Sequence, residues 1–216
     1  MKKTISVISV TMLLASASAI SAKEGAYVGG SLGVGLASDA DATEAGATSY
    51  ATFESDAGVT VGLTGGYRLP NNLRVEGELS YQSNDFDTVT LSMPGFSVSY
   101  PLASGDVTRT SLLVNGYYDI PTSSNFTPYA SLGLGFSKID VGDFTFEDGE
   151  SVQGNDDTVF TYQFTAGVAY ALSETLAIDA KVSYLATSDA DINFEGDVIS
   201  YEYATTNLQL GLRYGF

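Results

Sequence analysis

Alternation of apolar and polar residues, held through eight separate segments, predicts an all-β chain: an eight-stranded antiparallel up-and-down transmembrane β-barrel. Two further observations point the same way. Short connections alternate with long ones, and aromatic residues gather at both ends of the apolar face. Residues 204–216 show the pattern most fully. Ala204, Thr206, Leu208, Leu210, Leu212, Tyr214 and Phe216 share one face, while Thr205, Asn207, Gln209, Gly211, Arg213 and Gly215 share the other.

Residues 1–22 read as a secretory leader. Lys2 and Lys3 begin it, an apolar run follows over 5–14, and small residues at 15–22 offer cleavage after Ala19 or Ala22. That run is well short of the about 20 residues a spanning helix needs, and no other stretch approaches it, so a helical membrane protein is excluded. Residues 23–216 are left for one barrel domain. Without Cys it folds without disulfides, and without His it lacks the usual general base and the commonest metal ligand. Setting the leader aside, 7 basic and 26 acidic residues give a net charge of −19. Such a charge argues against nucleic acid and anionic headgroups as direct partners.

The first segment, 26–37, turns Ala26, Val28, Gly30, Leu32, Val34 and Leu36 to the apolar side, and the second, 57–68, does so with Ala57, Val59, Val61, Leu63, Gly65 and Tyr67. The third, 73–82, carries Leu73, Val75, Gly77, Leu79 and Tyr81. The fourth, 107–118, carries Thr108, Thr110, Leu112, Val114, Gly116 and Tyr118. Ala130, Leu132, Leu134 and Phe136 mark the fifth, 128–139. Phe160, Tyr162, Phe164, Ala166, Val168 and Tyr170 mark the sixth, 158–172. The seventh, 176–187, has Leu176, Ile178, Ala180, Val182 and Tyr184. Each is long enough for the about 9–11 residues of a tilted membrane strand.

Connections at 69–72, 119–126 and 173–175 are short and rich in turn formers; those at 38–56, 83–106, 140–157 and 188–202 are long. The short side is the periplasmic one in such barrels. Alternation alone would equally suit a soluble barrel turned inside out. The aromatics and the glycines decide between them. Tyr67, Tyr118, Tyr170, Tyr214 and Phe216 sit beside short turns, and Tyr81, Phe136, Phe160, Tyr162 and Tyr184 beside long loops, as two interfacial girdles. Gly29, Gly33, Gly35, Gly58, Gly62, Gly66, Gly133, Gly135 and Gly167 crowd the polar face, which suits a narrow lumen rather than a wet exterior.

Arg68, Arg74, Glu76, Glu78, Arg109, Asp179, Lys181 and Arg213 also fall on the polar face. Facing lipid, a basic group costs about 2–4 kcal/mol near the midplane, so these are expected in the lumen as a paired charge network. In that reading Arg109 and Lys181 each hold a carboxylate, and the network plugs the bore. The four long loops hold 20 of the 26 acidic residues, in groups of five, three, seven and five. Solvation of exposed hairpins is their plain reading; divalent-cation capture beside lipopolysaccharide is the sharper one.

Several motifs carry no chemistry. Asp189, Asp191, Asn193 and Glu195 begin like a calcium loop, but Phe194 stands where its Gly belongs and Ser200 where its bidentate Glu belongs. Gly29-Gly30-Ser31-Leu32-Gly33 matches a hydrolase elbow only in letters, mid-strand and without a His. The apolar run 91–102 in the second loop is either an extended hairpin packing on itself or an exposed contact patch. No metal or cofactor is expected.

Four stretches resemble the small outer-membrane barrel superfamily of the Opa, OmpA and OmpX kind. They are Asn115-Gly116-Tyr117-Tyr118-Asp119, Pro128 to Gly135, Phe160 to Tyr170, and Gly211-Leu212-Arg213-Tyr214-Gly215-Phe216. The resemblance implies a Gram-negative outer-membrane location among lipid and lipopolysaccharide. It also implies that Phe216 is the aromatic signal read by the barrel-assembly machinery. Its motifs specify architecture rather than activity. The favoured function is a monomeric, non-enzymatic surface protein with a structural or adhesive role and a possible ligand at its loops. A small low-conductance porin is the alternative, and a lipid-modifying barrel enzyme is disfavoured by the missing His.

Overall fold

The computed structural model describes residues 24–38, 40–44, 50–55, 57–93, 96–146, 151–152, 154–188, 190–194, 197–201 and 203–216. The leader expected at 1–22 lies outside the described residues. Eight strands make one closed ring: β1 (Gly25–Ala37), β2 (Gly58–Arg68), β3 (Leu73–Met93), β4 (Asp106–Asp119), β5 (Phe126–Val141), β6 (Asn155–Ala171), β7 (Leu176–Thr187) and β8 (Ala204–Gly215). Each pairs antiparallel with its sequence neighbour. β8 returns to β1, where Gly215 faces Tyr27 and Thr205 faces Ala37. The ring therefore has no open edge, and every ladder bond it needs in lipid is made internally.

The two faces sort as the alternation requires. Leu63, Leu112 and Leu210 are each 66% exposed on the outer surface, whereas Arg109 and Glu78 are 1% and 2% exposed inside. All ten aromatics of the two girdles are on the outer face, exposed or half-buried. Several stack across or along strands, as in Phe136–Phe160 at 6.0 Å and Tyr214–Phe216 at 5.4 Å between ring centres. Phe160 and Tyr170 both face outward on β6, separated by ten residues. That is about 34 Å of strand, or about 25 Å across a bilayer at a tilt of 35–45°, the height of the apolar band in such barrels.

The short turns are tight. Asn71 and Asn72 adopt positive φ of 65° and 63°, and the Leu69 amide donates to the Leu73 carbonyl at 2.8 Å. Asparagine tolerates that region with little strain.

The long connections differ from the expected loops, because they carry strands of their own. Ala40–Glu44 pairs with Tyr50–Ser55, which pairs with the upper part of β3. Phe96–Ser104 folds back on β3 and pairs with Phe144–Phe146, which in turn pairs with Ser151–Val152. Ala190–Phe194 pairs with Asp197–Tyr201, which lies against Ala40–Glu44. These hairpins stand on the barrel rim as a collar. β3 reaches Met93 rather than the expected residue 82, passing straight through Ser83, Asn84 and Asp85. Those residues look like turn formers in isolation. The Asn84 amide, however, points inward and donates to the Gly35 carbonyl at 3.1 Å, so a turn-like composition is really lumen chemistry.

Candidate functional site in the barrel lumen

β3 is the spine of the lumen. Its inward positions Arg74, Glu76, Glu78, Ser80, Gln82 and Asn84 are all buried, and Arg74, Glu76, Glu78, Gln82 and Asn84 each hydrogen-bond to another strand. At the periplasmic end Arg74 Nε donates to both carboxylate oxygens of Asp119 at 3.0 Å, and its Nη2 lies 2.9 Å from Oδ1. Arg68 Nε approaches the same carboxylate at 3.7 Å. The Arg74 guanidinium also lies among the rings of Tyr117, Tyr129 and Tyr27, with its carbon 4.1, 5.0 and 5.8 Å from their centres. A planar cation among π faces is held by charge and by stacking together.

One layer up, Glu76 accepts a phenol on each oxygen, from Tyr27 at 2.8 Å and Tyr117 at 2.9 Å. Glu78 accepts amides from Asn115 at 2.9 Å and Gln163 at 3.2 Å. Higher still, Arg109 donates to Gln82 Oε1 at 2.8 Å and Ser111 Oγ at 3.0 Å, and it also bonds the Tyr203 hydroxyl. Ser111, Ser137 and Thr161 continue the chain of hydroxyls at 2.7 Å each. On the opposite wall Arg213 Nη2 donates to Asp179 at 2.9 Å, and the Tyr129 hydroxyl bonds the same carboxylate.

Glycine makes room for these long side chains. Tyr27 faces Gly66 across β1 and β2, and Tyr129 faces Gly167 across β5 and β6. A Cβ at either glycine would meet the tyrosine ring's Cζ at 2.5 Å. Each ring thus lies flat over a strand without side-chain bulk and carries its hydroxyl to a carboxylate two strands away. Gly133 similarly admits the Asn115 amide, and Gly35 the Gln82 amide.

All eight charged residues read from the sequence face the lumen, but their pairing differs from expectation in two places. Arg109 is held by an amide and hydroxyls, not by a carboxylate. Lys181 has no carboxylate within 4.0 Å among the described residues. The reason is supply. Glu78 is taken by neutral donors, Glu76 by two phenols and by Arg74 Nη1 at 3.8 Å, Asp119 by Arg74 and Arg68, and Asp179 by Arg213 and Tyr129. Sequence reasoning missed Asp119, which reads as a turn residue, and the phenols Tyr27, Tyr117 and Tyr129. Strand parity was the available signal, since each of the three has the opposite parity to its outward neighbour.

The family model described as the outer membrane protein beta-barrel domain matches residues 5–216. Outer membrane protein PagN of Salmonella typhimurium is 30% identical over 122 residues, covering 51% of this chain and 51% of PagN. The chain thus spans about half the length of the curated relative it matches. The fold is similar to that of Neisserial surface protein A, with a TM-score of 0.55 at 21% identity over 89% of this chain and 97% of that one. It is also similar to OprG of Pseudomonas aeruginosa, with a TM-score of 0.61 at 18% identity over 92% of this chain and all of that one. A closed barrel with apolar residues outside and charges inside, matched by that model across nearly its whole length, belongs to the outer membrane protein β-barrel domain family of Gram-negative outer membranes.

Proposed function

We propose that this chain is a non-enzymatic surface protein whose barrel is sealed by its lumen network and whose acidic hairpins meet the cell's surroundings. The observation that carries the reading is the filling of the periplasmic half of the lumen. Arg74, Glu76, Tyr117 and Tyr129 are all no more than 5% exposed, and the space beside them is a void of about 40 Å³. A path that narrows to such a space strips a passing ion of most of its water, which opposes a steady current. The alternative, a small low-conductance porin, draws on the polar lining that runs the length of the lumen. The void size weighs against it.

Structural support of the envelope or adhesion fits a barrel of this kind, with lipid around it, lipopolysaccharide beside the collar and a ligand engaged from the loops. A monomer suffices, since the ring closes on itself. Recognition of Phe216 by the barrel-assembly machinery belongs to the same reading. The deciding measurement is conductance of refolded protein in planar bilayers. The unmodified protein should give no steady channel, while replacing Arg74 and Tyr117 together by Ala should admit current. A steady, large-conductance channel in the unmodified protein would overturn the sealed reading.

A further inference from the structure

We propose that the lumen holds one halide-sized monovalent anion beside Lys181 and Arg213. The void of about 40 Å³ is lined by three basic groups, Lys181, Arg213 and Arg74, and two carboxylates, Glu76 and Asp179, with Tyr129 among its other walls. It has room for a few water-sized species, a size that suits a halide. Lys181 is 8% exposed and Arg213 is 7% exposed. Among the described residues Lys181 has no ion pair within 4.0 Å, and Arg213 Nη1 and Nε are buried without a hydrogen-bond partner, the guanidinium carbon lying 5.4 Å from the Tyr27 ring centre.

Charge balance points to the same occupant. Among the described residues the lumen contains five basic groups, Arg68, Arg74, Arg109, Lys181 and Arg213, against four acidic ones, Glu76, Glu78, Asp119 and Asp179. Each of the four carboxylates is already engaged. Guanidinium groups do not release their proton in proteins. The lumen thus carries one more positive than negative group; Arg109 and Lys181 are the two held by no carboxylate among the described residues, and of these only Lys181 lines the void. An anion in the void would supply the acceptor that the Arg213 Nε and Nη1 groups lack. Backbone geometry keeps the space open: a Cβ at Gly29 would come within 2.8 Å of Thr64 Oγ1, and one at Gly211 within 3.0 Å of the Gly30 carbonyl.

The test uses refolded full chain in detergent, with sodium bromide, sodium chloride and sodium gluconate compared at equal ionic strength. Bromide and chloride should raise the folded-to-unfolded ratio in proportion to their concentration once above Kd, while gluconate, too large to enter, should not. Crystals grown in bromide should show an anomalous peak beside Lys181 Nζ. Lys181→Met should remove both the peak and the halide response. Equal stability in the three salts, or no bromide peak in the unmodified protein, would overturn the site. The bromide map decides the matter even if Lys181→Met fails to fold. A sealed lumen needs no anion, so loss of this site leaves the conductance result standing.

Discussion

Asp119 is the residue on which the periplasmic end of the lumen turns. It holds Arg74 through three contacts of 2.9–3.0 Å and draws in Arg68, so removing it leaves a buried guanidinium with only the Glu76 carboxylate, 3.8 Å away. Breaking a buried pair in this way costs about 3–5 kcal/mol. Arg109 presents the contrasting case, since its removal leaves only neutral partners, Gln82 and Ser111, to find new bonds. The loss there should be about 1–3 kcal/mol. Urea unfolding in detergent should therefore rank Asp119→Ala as clearly more damaging than Arg109→Ala. The reverse order would mean that a carboxylate depends on Arg109 after all. The eight charges were legible because parity alone assigns them to the lumen. Their partners were not, because which side chains meet depends on the stagger between strands, and a period of two is silent about stagger.

At the scale of the element, the two tyrosine–glycine pairs lock neighbouring strands together. Gly66→Ala would drive a methyl group into the Tyr27 ring, and Gly167→Ala would do the same to Tyr129. Overpacking of this kind costs about 1–3 kcal/mol. Tyr27→Ala should relieve the ring's share of the Gly66→Ala penalty but not the share set by the Val75 carbonyl, 2.8 Å from the same Cβ, so the double-mutant cycle should be non-additive. Additive losses would show that the ring does not depend on the glycine. The strands themselves were the most readable level of this molecule. Lipid on one side and a polar lumen on the other imprint alternation on every membrane-crossing segment, as Leu208, Leu210 and Leu212 against Asn207, Gln209 and Arg213 illustrate. The collar was unreadable for the same reason in reverse. Above the membrane that contrast between the two faces is lost, and Ser83, Asn84 and Asp85 resemble a turn while lying within β3.

For the whole molecule, the ring completes its own ladder without help from the collar. Trimming residues 42–52 removes most of the pairing between Ala40–Glu44 and Tyr50–Ser55 but touches none of the eight ring interfaces. The shortened protein should refold in detergent, resist protease and keep a heat-dependent gel mobility. Failure to fold would make the collar part of the barrel's foundation. Charge is also distributed unevenly around that ring. The β3–β4 hairpin brings Arg74 and Arg109 against Glu76, Glu78 and Asp119, while the β7–β8 hairpin brings Lys181 and Arg213 against Asp179. The hairpins between them, β1–β2 and β5–β6, line the interior with glycine, hydroxyl, amide and apolar side chains and, of the lumen charges named above, only Arg68. One charged wall is thus negative by one and the wall facing it positive by one. While the sheet is still curling and the space between its walls is poor in water, that opposition pulls the far walls together, so the sign of the charge on each hairpin acts as a guide to ring closure.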